Sequence, residues 1–189
     1  TGRVVDFRAR ENLRATPAEG TATLIYPTHF DGSTVQWPKH ESRKPNALAI
    51  TERTRALLVP NGNYVLTRRF SSKEERRRIV AVVFEGTTVP DAAVGFENHV
   101  NYFHEHGRGL DLALARGLCA FLNSTLVDTL FRQFSGHTQV NATDLRGMRY
   151  PSLDTLQRIG TLVGEARLEQ EQIDALIERE LTGMSNGDD

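Results

Sequence analysis

None of the seven prolines is adjacent to another, a single cysteine occurs, and no apolar run comes near the length of a membrane span. Each absence excludes something. Without a Pro-Pro pair, the acidic-or-amide-Pro-Pro-aromatic loop with which amino-methyltransferases grip a flipped base cannot be assembled. With Cys119 alone there is no internal disulfide, so a reducing cytoplasm is the expected compartment. In its apolar helical setting Cys119 reads as a small buried hydrophobe. The longest apolar run, Ile79 to Phe84, follows three arginines and is far below the roughly 20 residues a spanning helix needs. No signal peptide or lipidation motif is visible.

Lysine is also scarce. Only Lys39, Lys44 and Lys73 accompany 20 arginines, whose rigid fork suits phosphate and guanine. The formal net charge of -1 conceals an uneven distribution. Residues 1–164 hold 21 basic and 16 acidic side chains, residues 165–189 hold 2 and 8, so a basic body precedes an acidic tail. The chain opens at Thr1 without an initiator methionine and is expected to be a piece of something larger.

What is present reads as strands first and helices later. Ala22–Tyr26 is a short apolar strand stopped by Pro27, and Asp31-Gly32 is a turn before Val35-Gln36-Trp37. Trp37 to Asn46 is an exposed loop. After the Asn61-Gly62 turn, Tyr64–Phe70 and Ile79–Phe84 are the stronger strands, joined by a charged linker longer than a tight turn. From Leu110 the period becomes helical, with Leu110, Leu114, Leu118, Phe121 and Leu122 on one face. A second helix, N-capped by Ser124, carries Leu126, Val127, Leu130, Phe131 and Phe134. Leu156, Ile159, Val163, Ala166, Ile173 and Ile177 fall on heptad spacing and predict a long terminal helix, weakened by Gly160 and Gly164. The expected fold class is α+β, a curved mixed or antiparallel sheet packed with helices and ending in a long C-terminal helix. The expected divisions are a domain over 1–151, a helical segment over 152–182 and a disordered tail over 183–189.

Common catalytic patterns fail. Gly107-Arg108-Gly109 follows His104-Glu105-His106 and not a strand, unlike a nucleotide-binding turn. The residues two before each lysine are Trp37, Ser42 and Ser71, which excludes a Glu-x-Lys nuclease. His99, His104 and His106 with Glu97 and Glu105 invite a metal site, but their spacing fits neither a zinc finger nor His-Glu-x-x-His, and polar loop histidines are the plainer reading. Ser135, His137 and Asp144 lack a Gly-x-Ser-x-Gly elbow.

Three segments remain. Arg68 to Arg78 has six basic and two acidic residues. On a strand-loop-strand its arginines and hydroxyls would leave one face together and meet phosphates, unless it is only a solvated charged hairpin. Ser135 to Arg146 gathers short polar side chains beside Gly136; Gln139 and Asn141 could pair with adenine edges, or Asn141 or Thr143 could cap a short helix. Gly95 to His104 mixes amides, imidazoles and aromatics, suited equally to base contact and to a buried polar network.

Taken together, Thr1-Gly2-Arg3-Val4-Val5-Asp6-Phe7-Arg8, Arg69-Phe70-Ser71-Ser72-Lys73-Glu74-Glu75, Phe96-Glu97-Asn98-His99, Leu122-Asn123-Ser124 and Ser135 to Arg146 resemble the C-terminal target-recognition region of TaqI-like and Eco-type adenine-specific DNA methyltransferases. These belong to type II restriction-modification systems and are sometimes fused to a nuclease. The likeness runs from Thr1 to about Pro151. The Gly-x-Thr-Gln stretch with Tyr150-Pro151 also resembles the close of recognition domains in type I specificity subunits.

The resemblance implies a non-catalytic part that docks on double-stranded DNA, while a separate catalytic domain of the same parent chain flips the adenine and methylates it from S-adenosylmethionine. This part itself would hold no cofactor and no metal. Phosphate positioning would fall to Arg68, Arg69, Lys73, Arg76, Arg77 and Arg78, helped by Ser71 and Ser72. Groove contacts would fall to Lys39, Lys44, His137, Gln139 and Asn141, with the Trp37–Asn46 loop the better candidate for sequence readout. The alternative is a protein- or RNA-interaction module whose last helix dimerises, although docking of that helix on its own body is preferred.

Overall fold

The computed structural model describes residues 1–71, 74–134 and 138–183, with residue 134 described by its backbone alone. They form two compact units: Thr1–Arg69 with Val82–Leu110, and Phe70–Ala81 with Asp111–Asp189. No helix among the described residues is long and apolar enough to cross a membrane.

The first unit is built on short strands: β1 Leu13–Arg14, β2 Thr21–Ile25, β3 Phe30–Asp31, β4 Thr34–Val35, β5 Ala47–Ala49, β6 Leu58–Pro60, β7 Tyr64–Arg68, β8 Ala81–Phe84, β9 Ala93–Phe96 and β10 Val100–Phe103, with the one-turn helices α1 Asp6–Ala9 and α2 Glu52–Arg55. The strands make two mixed sheets, ordered β1-β5-β2-β9-β6 and β10-β7-β8-β4-β3. β2 runs parallel to β9 and β4 parallel to β8. Side chains alternate across each strand, so β2 sends Ile25 to one core and Leu24 to another. The first core takes Tyr64, Leu66, Val82, Phe84, Val94, Phe96 and Val100 from both sheets. Its rings meet edge to face, Tyr64 on Phe96 at 5.2 Å and Phe84 on Phe96 at 5.8 Å. The buried Tyr64 hydroxyl donates to the Pro60 carbonyl at 2.6 Å.

The second unit holds α3 Leu112–Leu122, α4 Thr125–Phe134, α5 Ala142–Gly147, α6 Leu153–Val163 and α7 Gln170–Thr182. Asp111 caps α3 by accepting from the Leu114 amide at 3.0 Å. Ser124 sits at the α4 N-terminus as its sequence position suggested, its hydroxyl accepting from the Val127 amide at 3.3 Å. Asp174 of α7 completes that terminus, taking the Thr125 amide at 2.7 Å and the Thr125 hydroxyl at 2.6 Å. Burial opposes its charged form, but these bonds, one from Gln170 and the charge of Arg77 hold the Asp174 carboxyl below its ordinary value. On α4, Val127 and Phe131 are buried while Leu126 and Leu130 stay 45% and 46% exposed.

The α+β class and a C-terminal helix agree with the sequence pattern. The terminal segment, however, is two helices. Gly164, at φ 55°, ends α6, and α7 begins only at Gln170. α7 buries Leu176 and Ile177 and packs on α3, α4 and α6. α3 and α4, expected with a domain ending at residue 151, pack with these terminal helices, and α5 lies in the same unit. Of the tail expected to be disordered, Gly183 donates to the Arg179 carbonyl, and residues 184–189 lie outside the described residues. Cys119 is buried in α3, and desolvation pushes its thiol up to about 12.

Candidate nucleic-acid interface

The arginine-rich stretch leaves β7 at Arg68 and leads to β8 at Ala81, its neighbour in the sheet, and its described arginines differ in their surroundings. Arg68 ends β7 opposite Val100, and Arg69 donates its amide to the His99 carbonyl at 2.8 Å and a guanidinium hydrogen to the Asn98 carbonyl at 3.3 Å. In the second unit, Phe70 bridges to Gln139, and the Ser71 amide donates to the Thr138 carbonyl at 3.1 Å. The first two sequence segments are therefore neighbours.

Arg78 is only 1% exposed. Its amide donates to Asp128 at 2.7 Å, its Nε to the buried Ser71 hydroxyl at 3.1 Å, and its guanidinium lies 5.6 Å from the Phe131 ring centre. Arg77 donates to the Asn123 carbonyl, and burial pulls its guanidinium below its ordinary value. Arg132 bonds Asp128 through Nε at 2.7 Å and reaches the Glu75 carbonyl at 2.8 Å. This framework pins residues 75–78 to α4.

Ser71 and Arg78, expected to meet phosphate, are both buried and bonded to each other; a guanidinium removed from water needs partners and finds one here. Arg77 is half-buried and bonded to a carbonyl; Arg76 is exposed, beside the exposed Glu74 and Glu75. Ser72, Lys73 and His137 lie outside the described residues.

Gln139 is half-buried in its bridge. Asn141 precedes α5 at its N-cap, where Asp144 accepts the Asn141 backbone amide at 3.3 Å. Of the supposed hydrolase trio, Asp144 is thus taken up in the cap, and Ser135 and His137 are not described.

The third segment and the N-terminal motif form one structure. Gly2 donates to the Val100 carbonyl at 2.7 Å, Val4 to Phe96 at 3.1 Å, and Asn98 to Val4 at 2.8 Å. A Cβ at Gly2 would lie 2.2 Å from the Glu97 carbonyl oxygen, so only glycine fits this approach. The fully buried Glu97 carboxylate accepts from the His99 amide at 2.9 Å and bonds its Nδ1 at 2.6 Å. Among the described residues no three acidic, histidine or cysteine groups are placed to hold a metal. Gly107, at φ 82°, serves a turn closed by Glu105 and Arg108, and Gly109 lies against the Gly62 and Asn63 backbone. Both glycines lie in the loop between β10 and α3.

The 37–46 loop hangs on Asn46, which sequence reasoning missed. This buried amide accepts from the Lys39 amide at 2.8 Å and donates to the Ala15 and Lys39 carbonyls at 2.8 and 3.3 Å. Its own carbonyl takes the Trp37 indole at 2.8 Å. His29, buried below it, accepts the Tyr26 amide through Nδ1 at 2.9 Å and donates from Nε2 to Asn46 at 3.0 Å. Lys39 reaches the Thr28 carbonyl at 3.0 Å, while Lys44 pairs with Asp6 at 2.8 Å over the Tyr26 ring. Both lysines expected in a groove tie the loop to its surroundings and remain partly exposed. The Tyr26 hydroxyl donates to Asp6 at 2.6 Å, and burial and that carboxylate raise its pKa.

The His29 geometry fixes a neutral imidazole, and desolvation lowers its pKa below the ordinary 6.5. The unfolded chain therefore binds this proton first. Stability is complete above 6.5 and falls as pH drops from there through the depressed folded value. Urea midpoints measured between pH 5 and 8 are expected to decline at the acid end in wild type and less steeply in His29→Gln; identical slopes would refute the assignment.

Against this framework, two curated relatives are similar to almost the whole chain. One is the type II methyltransferase M.PstI of Providencia stuartii, 50% identical over 184 residues, 97% of this chain and 36% of the relative. The other is the type II methyltransferase M.BsuBI of Bacillus subtilis, 52% identical over 180 residues, 94% and 36% respectively. This chain is similar to about a third of a type II methyltransferase. No family model matches it, and no solved structure does. The type II methyltransferase similarity agrees with the broader family expected from the motifs, and the part spanned is 36% of each relative's length.

Proposed function

We propose that this chain is the DNA target-recognition part of an adenine-specific methyltransferase of a restriction-modification system, acting beside a catalytic part that binds S-adenosylmethionine. The observation that carries the reading is its similarity, at half identity along nearly its whole length, to two type II methyltransferases of which it spans 36%. The missing Pro-Pro loop and nucleotide-binding turn support a binding role and not a catalytic one. The interface assigned here differs from the sequence expectation in its residues. Phosphate positioning is assigned to Arg68 and Arg69 in the first unit and, separately, to Arg76 with Lys73 of its segment, while Arg77, Arg78 and Ser71 build the support around Arg76.

Fluorescence anisotropy with short duplexes and with RNA of equal length, across a salt series, tests the reading. Duplex should bind in preference to RNA and weaken steeply with salt. Arg76→Ala should weaken all duplexes alike and reduce the log-log salt slope by about one, as loss of one phosphate contact does. Binding indifferent to salt, or equal for RNA, would transfer support to the interaction-module alternative.

A further inference from the structure

The loop closed by Asn46 divides its side chains sharply. Trp37, Lys39, Ser42, Lys44 and Asn46 are all hydrogen-bonded back to the loop or the body of the unit. His40, Glu41 and Arg43 are exposed, and none has a hydrogen bond, ion pair or ring contact among the described residues. Holding this shape requires two buried polar side chains, His29 and Asn46, satisfied only by each other and by backbone. A loop that merely connected β4 to β5 would need no such support. Preorganisation of this kind lowers the entropy cost of placing the tip against a partner.

The chemistry at the tip discriminates between phosphate and base. A surface for the DNA backbone gains from cations and loses from a carboxylate, yet Glu41 stands between His40 and Arg43. Both charged tip groups instead match one base pair. The arginine fork fits the O6 and N7 acceptors of guanine, and a carboxylate accepts from the N4 amino group of cytosine. Resting on the recognition reading above, we propose that residues 40–43 determine specificity by reading a G·C pair in the major groove, Arg43 on guanine and Glu41 on cytosine. Lys39 and Lys44 act as positioning residues that hold the loop.

The test is selection of bound duplexes from a random-sequence pool by the chain as it stands, followed by sequencing, for wild type, Arg43→Ala and Glu41→Gln. Neither side chain has a partner in the fold, so both variants should melt with wild type. Wild type should enrich a defined sequence. Both variants should lose roughly tenfold or more of the preference at G·C pairs in one and the same part of it, with the remaining positions still selected. A sequence preference unchanged in both variants, or weakened evenly at every position, overturns the tip assignment and leaves duplex recognition standing. A wild-type chain that enriches no sequence overturns both.

Discussion

Gly160→Ala is expected to destabilise the helical unit by about 3 kcal/mol, against the direction that helix propensity alone would give. In an exposed helix interior alanine is better than glycine by roughly 1 kcal/mol. Here α6 crosses α3 with the backbones in contact. A Cβ at Gly160 would lie 1.7 Å from the Ala113 carbonyl oxygen, and one at Gly117 would lie 1.8 Å from that of Leu156. A Cβ has no rotamer to escape into, and its neighbours are main chain, so the helices must separate and release the packing around Leu118, Leu156 and Ile159. Gly117→Ala should cost about as much. The double variant should cost less than the sum, because helices already parted by one methyl accommodate the other. Gly147→Ala is the comparator, since nothing lies within 4 Å of its added methyl, and it should change stability by no more than roughly 0.5 kcal/mol. Urea unfolding followed by far-UV circular dichroism measures all four. If Gly160→Ala were as stable as wild type, the α3–α6 crossing described here would be wrong.

That glycine also shows where sequence reading stops. The pattern of apolar residues places Gly160 within a helix and marks it as a weakness, because propensity is a local quantity. Its purpose depends on Ala113 and Gly117 in another helix, which no local window contains. Features set by adjacent residues were legible: the Asp31-Gly32 turn, the Ser124 cap, and the Asn141 capping alternative that composition offered beside adenine contact. The terminal helix was legible as apolar spacing but not in its break, since the heptad positions continue in phase across Gly164 and only its positive φ interrupts them.

The candidate interface divides in the same way. Runs of charge are visible in sequence, but whether a given arginine faces water is decided by residues far along the chain. Arg76, Arg77 and Arg78 look equivalent until Asn123, Asp128 and Phe131 are placed around the last two. Lys39 and Lys44 likewise look free until Thr28 and Asp6 are seen beneath them. The first and third resemblance motifs are one object, because Gly2 and Val4 lie along Phe96, Glu97 and Val100.

The inequality of the three arginines sets the second large effect. Arg78→Ala is expected to cost roughly 3 kcal/mol or more, since it removes a buried, hydrogen-bonded guanidinium, leaves the Ser71 hydroxyl without that donor and opens a cavity against Phe131. Arg78→Lys should recover little, because an ammonium cannot reproduce the fork held between Ser71 and the ring. Arg76→Ala, on an exposed side chain, should change stability by no more than about 0.5 kcal/mol. Reaction of Cys119 with a thiol reagent gives a local readout, because burial keeps this thiol protonated and covered until the helical unit opens. Labelling should accelerate at least tenfold in Arg78→Ala and remain at the wild-type rate in Arg76→Ala. The comparison also separates two reasons for losing affinity: Arg76→Ala would lose a phosphate contact from an intact fold, whereas Arg78→Ala would lose the support that places the loop. Equal labelling and equal midpoints for the two variants would mean that Arg78 is as free as Arg76, and the original single-faced cationic loop would have to be restored.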